Sequence, residues 1–260
     1  MLSSLCELLP GEDYLYLGDT ARLPYGTKSA ATVIRYALRA GGYLVERGVK
    51  ALVVACNTAS AVALPAMQQA WPHIPVFGVV EPGAQAAASA AAQSHSAGVL
   101  VLATGSTVSG GAYQRALLQQ HHGLQVYARS CPLWVTLAET GPQSELLVET
   151  VLANDLRGFS DSARISTLLL GCTHFPVFKA RLGQLCEGAT IVDSAQTTAQ
   201  VVLAQLQAHK LTNDATGGGC QMMATDDAKR FARVGAYFLA PSMGDRLAGA
   251  LANVEVVDLG

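Results

Sequence analysis

Short apolar runs that end in a small or polar residue recur along the sequence and alternate with longer helix-like stretches. Such runs are typical of strands that are buried on both faces of a parallel sheet, and the intervening stretches are long enough to be crossover helices. The pattern therefore predicts an α/β fold. The predicted strands are 14–17, 51–55, 75–80, 98–103, 124–128, 167–170, 190–192, 221–224 and 254–257, and the predicted helices are 29–47, 59–71, 83–94, 109–121, 143–157, 176–186, 195–209 and 226–239.

Two segments of the sequence share one pattern of residue types, which indicates that the chain has two similar halves. Leu52–Ala59 and Leu168–Phe175 share one order of residue types: three aliphatic residues, a small residue, a cysteine, two polar residues and an apolar one. Leu17–Ala21 and Ile191–Ala195 repeat each other more weakly. A length of 260 residues suits two domains. We therefore expect two similar doubly wound parallel-sheet domains with the active site in the cleft between them, the first domain from 1–81 and 196–260 and the second from 82–195.

The charge and composition of the chain indicate which kinds of ligand it can bind. The net charge is -2, and no basic run exceeds two residues. Nucleic-acid-binding proteins present clustered basic surface, so we expect a small-molecule ligand and no nucleic acid. Met1–Pro10 lacks the basic start of a signal peptide, and no apolar run approaches the roughly 20 residues that span a bilayer. A cytoplasmic protein with no membrane association is predicted.

Two cysteines stand where chemistry is expected. Cys56 and Cys172 each follow a predicted strand and precede a predicted helix, whose dipole should lower the thiol pKa from its reference value near 8.5. A single cysteine after an apolar run is more often a packing residue, but two in equivalent contexts favour a function. Two thiols on opposite faces of a carbon acid can invert a stereocentre, one as base and the other as acid.

The same reasoning predicts that no cofactor or metal is needed. The six cysteines form no Cys-x-x-Cys pair, so a structural zinc site is not expected, and cytoplasmic thiols should be reduced. None of the lysines stands at a strand end in the way the two cysteines do, which argues against a Schiff base.

Several stretches of the sequence match a known family. The specific ones are Gly18–Thr27, Ala55–Ser60 and Gly171–Pro176, and the supporting ones are Thr104–Thr107, Ser109–Tyr113, Cys131–Pro132 and Asp193–Ala195. With them, the chain resembles glutamate racemases of the aspartate/glutamate racemase superfamily over nearly its whole length. The resemblance implies interconversion of L- and D-glutamate without pyridoxal phosphate or metal, and a supply of D-glutamate for peptidoglycan synthesis in the bacterial cell wall.

The resemblance also implies roles for single residues. Cys56 and Cys172 would be the two acid/base residues, and His174 with Glu139 would be an auxiliary pair that tunes Cys172. The residues implied in substrate binding are Tyr25, Gly26, Asn57, Thr58, Thr104, Thr107 and Thr173.

Each of these residues also has an ordinary structural interpretation. Asn57 and Thr58 could be helix caps, and His174 could be a half-buried histidine with satisfied hydrogen bonds. Thr104 and Thr107 could be turn residues. Asp19 is more often a turn or capping aspartate than a catalyst, and it is left out of the predicted site.

Two other functions stay open at this stage. A related racemase could act on another amino acid such as aspartate, and activity on glutamate against aspartate separates these two readings. A catalytically impaired remnant or binding protein would bind a ligand without exchanging its α-hydrogen. The sequence leaves open the regulation, the enantiomer that each cysteine serves, and the oligomeric state, for which a homodimer is one option.

The start of the sequence departs from the family pattern, which begins with a strand and an Asp-Ser-Gly-x-Gly-Gly turn. Met1–Pro10 instead resembles the helix that follows this turn. The sequence leaves open whether the missing segment is an artefact of the gene model or a real feature of the protein. The first strand of a doubly wound sheet usually lies in its middle, and each buried backbone group left unpaired costs about 1–3 kcal/mol. We therefore expect a version extended upstream by that turn to show a higher melting temperature and turnover; equal values would contradict this expectation.

Overall fold

Helices and strands alternate along the chain in the computed structural model, which describes residues 1–94, 98–159, 164–215, 217–239 and 244–260. The strands are β1 (Tyr14–Gly18), β2 (Leu52–Val54), β3 (Val76–Gly78), β4 (Gly98–Ala103), β5 (Gln125–Ser130), β6 (Thr167–Gly171), β7 (Thr190–Asp193), β8 (Cys220–Ala224) and β9 (Glu255–Val256). The helices are α1 (Leu2–Leu8), α2 (Ala30–Val45), α3 (Asn57–Ala70), α4 (Val80–Ala92), α5 (Gly105–Gly110), α6 (Ala112–Gln120), α7 (Pro132–Glu139), α8 (Glu145–Leu156), α9 (Lys179–Leu185), α10 (Ser194–Ala208), α11 (Ala228–Leu239) and α12 (Asp245–Ala252). The predicted α/β class is confirmed.

The chain packs as two compact units. Met1–Val53, Val62–Phe77 and Ala199–Gly260 form the first unit, and Val54–Ala61 and Gly78–Thr198 form the second. By packing, the segment Val54–Ala61 therefore goes with the second unit, although it falls within the range predicted for the first domain. The domain boundaries themselves stay a prediction. This grouping matters because it brings the turn that carries Cys56 into the same unit as the turn that carries Cys172.

The second unit is built on a four-stranded parallel sheet in the order β5-β4-β6-β7. All six residues of β4 are buried. Val99 and Val101 pack in one core cluster with residues of α4 and α6. Leu100 and Leu102 point to the opposite face, because side chains alternate along a strand, and they are fully buried as well. Both faces of the sheet are therefore covered, as the continuous apolar strands predict.

The first unit has two smaller sheets, one in the order β1-β8-β9 and one that pairs β2 with β3. The pairings of β8 with β1 and β9 are parallel. One core cluster joins Leu5 in the middle of α1 and Leu9 just after the helix to Val202 and Leu206 of α10. A second cluster packs α12 against β8. Among the described residues, no helix is long and apolar enough to cross a membrane.

Two predicted elements are wrong in their bounds, and two helices were not predicted. The single helix predicted at 109–121 is two helices, because Gly111 has φ +65° and interrupts the helix between α5 and α6. The strand predicted at 75–80 ends at Gly78, and α4 begins at Val80. The predicted turn after it lies inside the first turn of α4, where Pro82 is tolerated. Helices α7 and α12 follow no signal that the sequence analysis used.

One of the two adjacent glycines inside α2 is explained by packing against a tryptophan. A Cβ added at Gly41 would lie 2.6 Å from Trp71 Cη2 and 3.0 Å from Met67 Cε, whereas a Cβ at Gly42 would lie 3.8 Å from Trp71 Cζ2. Gly41 therefore lets α3 approach α2 closely within the first unit, and Gly42 is not needed for this contact.

The two glycines give a matched pair of variants. Gly41→Ala should lower the free energy of unfolding by about 1–3 kcal/mol, because the methyl group overlaps the indole ring. Gly42→Ala should leave it unchanged or raise it by up to about 1 kcal/mol, because alanine favours the helix. Urea titration of both variants measures the difference, and equal effects at the two positions would contradict this account.

Candidate active site

The carboxyl ends of the parallel strands gather polar and sulfur-containing residues at one edge of the four-stranded sheet. Thr104 follows β4, Cys131 follows β5, Cys172 follows β6 and Ser194 follows β7. Cys131 is fully buried and its thiol donates to Arg129 O at 3.6 Å. Burial raises the pKa of the Cys131 thiol. Ligands of such sheets bind at this edge, so the described positions agree with a binding site there.

Cys56 lies between β2 and α3, at the start of the helix. Its carbonyl oxygen accepts the backbone N–H of Ser60 at 2.8 Å, which is the first hydrogen bond of the helix. Burial raises the pKa of the Cys56 thiol to about 11, against hydrogen bonds from the backbone N–H of Ala59 and from the backbone and hydroxyl of Thr58; the nearby Cys172 raises it further. The predicted lowering of this pKa is therefore wrong, because burial outweighs the helix donors.

Cys172 lies beside a histidine–carboxylate pair. Its Sγ is 3.6 Å from His174 Nδ1, and His174 Nε2 is 2.7 Å from Glu139 Oε1. The turn after β6 carries the cysteine and the histidine, and the last residue of α7 carries the carboxylate. The three predicted residues therefore form a continuous hydrogen-bonded line.

The His174 ring is favoured in its charged form. Burial lowers its pKa, but the hydrogen bonds to Cys172 and Glu139, together with the negative charges of those groups, outweigh burial and raise the pKa to about 10. A protonated imidazole carries a hydrogen on both ring nitrogens. It can therefore donate to Glu139 and to Cys172 at the same time.

Three predicted threonines form a closed group of hydroxyls. Thr58 Oγ1 is 3.0 Å from Thr104 Oγ1 and 3.2 Å from Thr107 Oγ1, and the latter two oxygens are 3.0 Å apart. All three residues are buried. Thr104 precedes α5 and Thr107 lies within it, so a turn position and a role in the site are compatible for both.

Asn57 presents an unused donor. The residue is 2% exposed, and its Oδ1 accepts the hydroxyl of Tyr113 at 3.3 Å. Its Nδ2 is buried and has no hydrogen-bond partner among the described residues. Because a buried polar group without a partner is costly, this donor is suited to a ligand acceptor such as a carboxylate.

Tyr25 and Gly26 lie in the first unit, within the 3₁₀ turn Tyr25–Thr27, and both are partly buried. The Tyr25 hydroxyl donates to Asp19 Oδ2 at 2.5 Å. Asp19 also accepts from Arg22 at 3.3 Å and from the Thr225 hydroxyl at 3.0 Å. The aspartate that the sequence analysis left out of the site therefore anchors the turn that it placed in the site.

The remaining predicted residue, Thr173, lies between Cys172 and His174 in the turn after β6 and is partly buried. Within the described ranges, no group of three or more His, Cys, Asp or Glu side chains is arranged to hold a metal ion.

Comparison with known proteins identifies the family of this chain. The sequence profile of the Asp/Glu/Hydantoin racemase family matches residues 3–202. A glutamate racemase from Geobacter metallireducens is 42% identical over 247 residues, which cover 94% of this chain and 90% of that protein. The chain belongs to this racemase family.

Two crystal structures of glutamate racemases are similar to this racemase over nearly its whole length. A glutamate racemase isoform from Bacillus anthracis is 31% identical with a TM-score of 0.89, and the alignment covers 99% of this chain and 92% of that one. A glutamate racemase from Francisella tularensis in complex with D-glutamate is 32% identical with a TM-score of 0.87, over 99% and 92% of the two chains.

Two residues that contact the site of this racemase through tertiary packing were not predicted from the sequence. Tyr113 and Ser194 belong to stretches that served only to recognise the family, and neither was given a role. Tyr113 contacts Asn57, and Ser194 contacts Tyr113. The only signal for them was their place in those stretches.

The raised pKa of His174 predicts a pH dependence of stability. The ordinary value is 6.5 and the folded value about 10. Folding therefore gains most from this group below pH 6.5, and the gain is lost as the pH rises through about 10. The difference in free energy of unfolding between the native chain and His174→Gln should shrink across this interval by more than about 1 kcal/mol, since one pKa unit corresponds to about 1.4 kcal/mol.

Urea titrations at several pH values measure this difference. Glu139→Gln is the matched variant, because it keeps the hydrogen-bonding shape but removes the charge that favours the imidazolium. In that background the pH dependence due to His174 should be smaller. A difference that stays constant from pH 6 to 10 would show that the ring is not held in its charged form.

Proposed function

We propose that this racemase interconverts L- and D-glutamate by proton transfer between the substrate and two thiols, Cys56 and Cys172, and that the D-glutamate serves peptidoglycan synthesis. The observation that carries the proposal is the placement of both thiols in one unit, close enough for Cys172 to raise the pKa of Cys56. Membership of the family and the glutamate racemase names of its relatives support the choice of substrate.

The Cys56 side is suited to deliver a proton first. With a pKa of about 11, Cys56 is a neutral thiol near pH 7 and can protonate a carbanion. Once it has lost its proton, the thiolate accepts hydrogen bonds from the backbone N–H groups of Thr58 and Ala59 and from the Thr58 hydroxyl. These fixed donors stabilise the charge without any movement of the chain. The same group then acts as base for the opposite direction.

The Cys172 thiol has a hydrogen-bond partner in His174. His174 Nδ1 lies 3.6 Å from the sulfur, and Glu139 holds the other face of the ring. Because Glu139 stabilises the imidazolium, His174 can donate a hydrogen bond to Cys172 when Cys172 is a thiolate. In this proposal His174 and Glu139 are positioning residues, and the two thiols alone meet the α-hydrogen.

Binding of glutamate needs donors for two carboxylates. We assign this role to the free Nδ2 of Asn57, to the hydroxyls of Thr58, Thr104 and Thr107, and to Thr173. The Tyr25–Gly26 turn is the further predicted contact. In this proposal the proton transfers at the α-carbon take place at the two sulfur atoms.

The proposal includes the predicted independence from pyridoxal phosphate and metal ions. It also includes a cytoplasmic location and a homodimer as the assembly to be tested by sedimentation. An aspartate-type racemase is the alternative, and parallel assays with glutamate and aspartate separate the two substrates.

Incubation with each glutamate enantiomer in deuterium oxide tests the mechanism. The native chain should invert both enantiomers and place deuterium at the α-carbon. Cys56→Ala and Cys172→Ala should each lower the rate of inversion by at least about 1,000-fold, because each removes the acid or base on one face. Any residual deuterium exchange should be confined to one enantiomer, and to opposite enantiomers in the two variants.

Cys220→Ala, in the first unit, is the matched control and should keep the native rate. A Cys172→Ala chain that inverts glutamate near the native rate would sink the two-thiol mechanism. Inversion of aspartate without inversion of glutamate would instead retain the mechanism and replace the substrate.

A further inference from the structure

Two stretches that carry the family resemblance have no role in the mechanism so far. Ser109–Tyr113 ends in the first turn of α6, and Asp193–Ala195 spans the end of β7 and the start of α10. Tyr113 and Ser194 lie close together in the interior of the second unit, where the Ser194 side chain acts as a donor that lowers the pKa of Tyr113 against the effect of burial. Both residues are buried, Tyr113 completely.

The Tyr113 ring is held by two glycines. A Cβ added at Gly171 would lie 3.0 Å from Tyr113 Cε2, and a Cβ added at Gly83 would lie 3.5 Å from Tyr113 Cε1 and 3.1 Å from Ser194 Cβ. Gly171 directly precedes Cys172, so the missing side chain at that point leaves the space that the ring occupies. A side chain at either glycine would therefore displace the ring from this place beside β6 and α4.

The orientation of the Asn57 amide in the structure sets the sense of the hydrogen bonds. A tyrosine hydroxyl has one hydrogen, and that of Tyr113 is donated to Asn57 Oδ1 at 3.3 Å. The bond between Tyr113 and Ser194 must then use the hydrogen of Ser194. Burial raises the pKa of Tyr113, so its hydroxyl remains a donor throughout the working pH range. Donation runs in one direction, from Ser194 through Tyr113 to Asn57.

The consequence lies at the other end of the amide. Because Oδ1 of Asn57 is occupied as an acceptor, the Nδ2 group must point away from Tyr113, and it has no partner among the described residues. An asparagine amide has two orientations of nearly equal shape. The reversed one would turn an oxygen, which only accepts, toward the ligand.

We propose that Tyr113, held by Ser194, is a positioning residue that keeps the Asn57 amide turned so that its Nδ2 donates to a carboxylate of bound glutamate. This inference rests on the proposed function, because it takes glutamate as the ligand. It adds a residue pair that selects for an acceptor, and against an ammonium group, at this point of the site.

Tyr113→Phe tests the inference with little change in shape. The free amide can then adopt either orientation, so the KM for both glutamate enantiomers and the Kd of glutamate in calorimetry should rise about tenfold, which corresponds to about 1.4 kcal/mol. The kcat should fall less than about threefold, because neither thiol has changed. Tyr14→Phe, which removes a tyrosine hydroxyl in the first unit, is the matched control and should keep the native KM.

A double-mutant cycle separates positioning from general stability. If Tyr113 acts through Asn57, Tyr113→Phe should have no further effect on KM in an Asn57→Ala background, whereas independent effects would multiply. Ser194→Ala should raise KM in the same sense by a smaller factor, and it supplies the measurement if Tyr113→Phe does not fold.

The outcomes are distinct. A native KM in Tyr113→Phe, or a full effect of that change in the Asn57→Ala background, would overturn the inference while the native chain still racemises glutamate. A native chain that neither binds nor turns over glutamate would overturn the proposed function and, with it, this assignment.

Discussion

The parallel pairing of β4 with β6 is the constraint on which the site depends. Their register pairs Ala103 with Gly171, so the two strands end at the same level and release Thr104 and Cys172 side by side. Each residue of β4 is buried, so a slip in register would exchange the side chains that pack on its two faces and disrupt the close packing on both. The position of Cys172 beside Thr104 is therefore set by the packing of this sheet.

The two thiols reach their task by different physical means. Cys56 is partly buried beside fixed backbone donors at the start of α3, and the desolvation of its thiol keeps it neutral at rest. Cys172 has an imidazole whose charge is sustained by Glu139. A two-sided proton transfer does not require identical sides, because each direction of the reaction begins at one thiol and ends at the other. The internal repeat in the sequence is thus a likeness of backbone position and not of electrostatics.

Local pattern was sufficient for much of the fold, because a buried strand and the helix after it leave a signal within a few residues. All nine predicted strands lie over observed strands, and Cys56 and Cys172 stand at the turns where the pattern placed them. What the pattern could not supply depends on distant partners. Gly41 is explained by Trp71, and the sense of the Asn57 amide by Tyr113. The net pKa of Cys56 also required the extent of burial, which the helix-start pattern does not contain.

The three threonine hydroxyls have a consequence for how the site responds to charge. Their mutual contacts and the bond from Thr58 to Cys56 make four interactions, for which three hydroxyl hydrogens are present. When Cys56 is neutral, the three can close into a ring; when it is charged, Thr58 turns its hydrogen to the sulfur, and the hydrogens of Thr104 and Thr107 can turn toward Thr58 or toward a bound carboxylate. The change needs only rotation about C–O bonds. The site therefore responds to the charge on Cys56 by reorienting hydroxyl hydrogens, and the chain itself does not have to move.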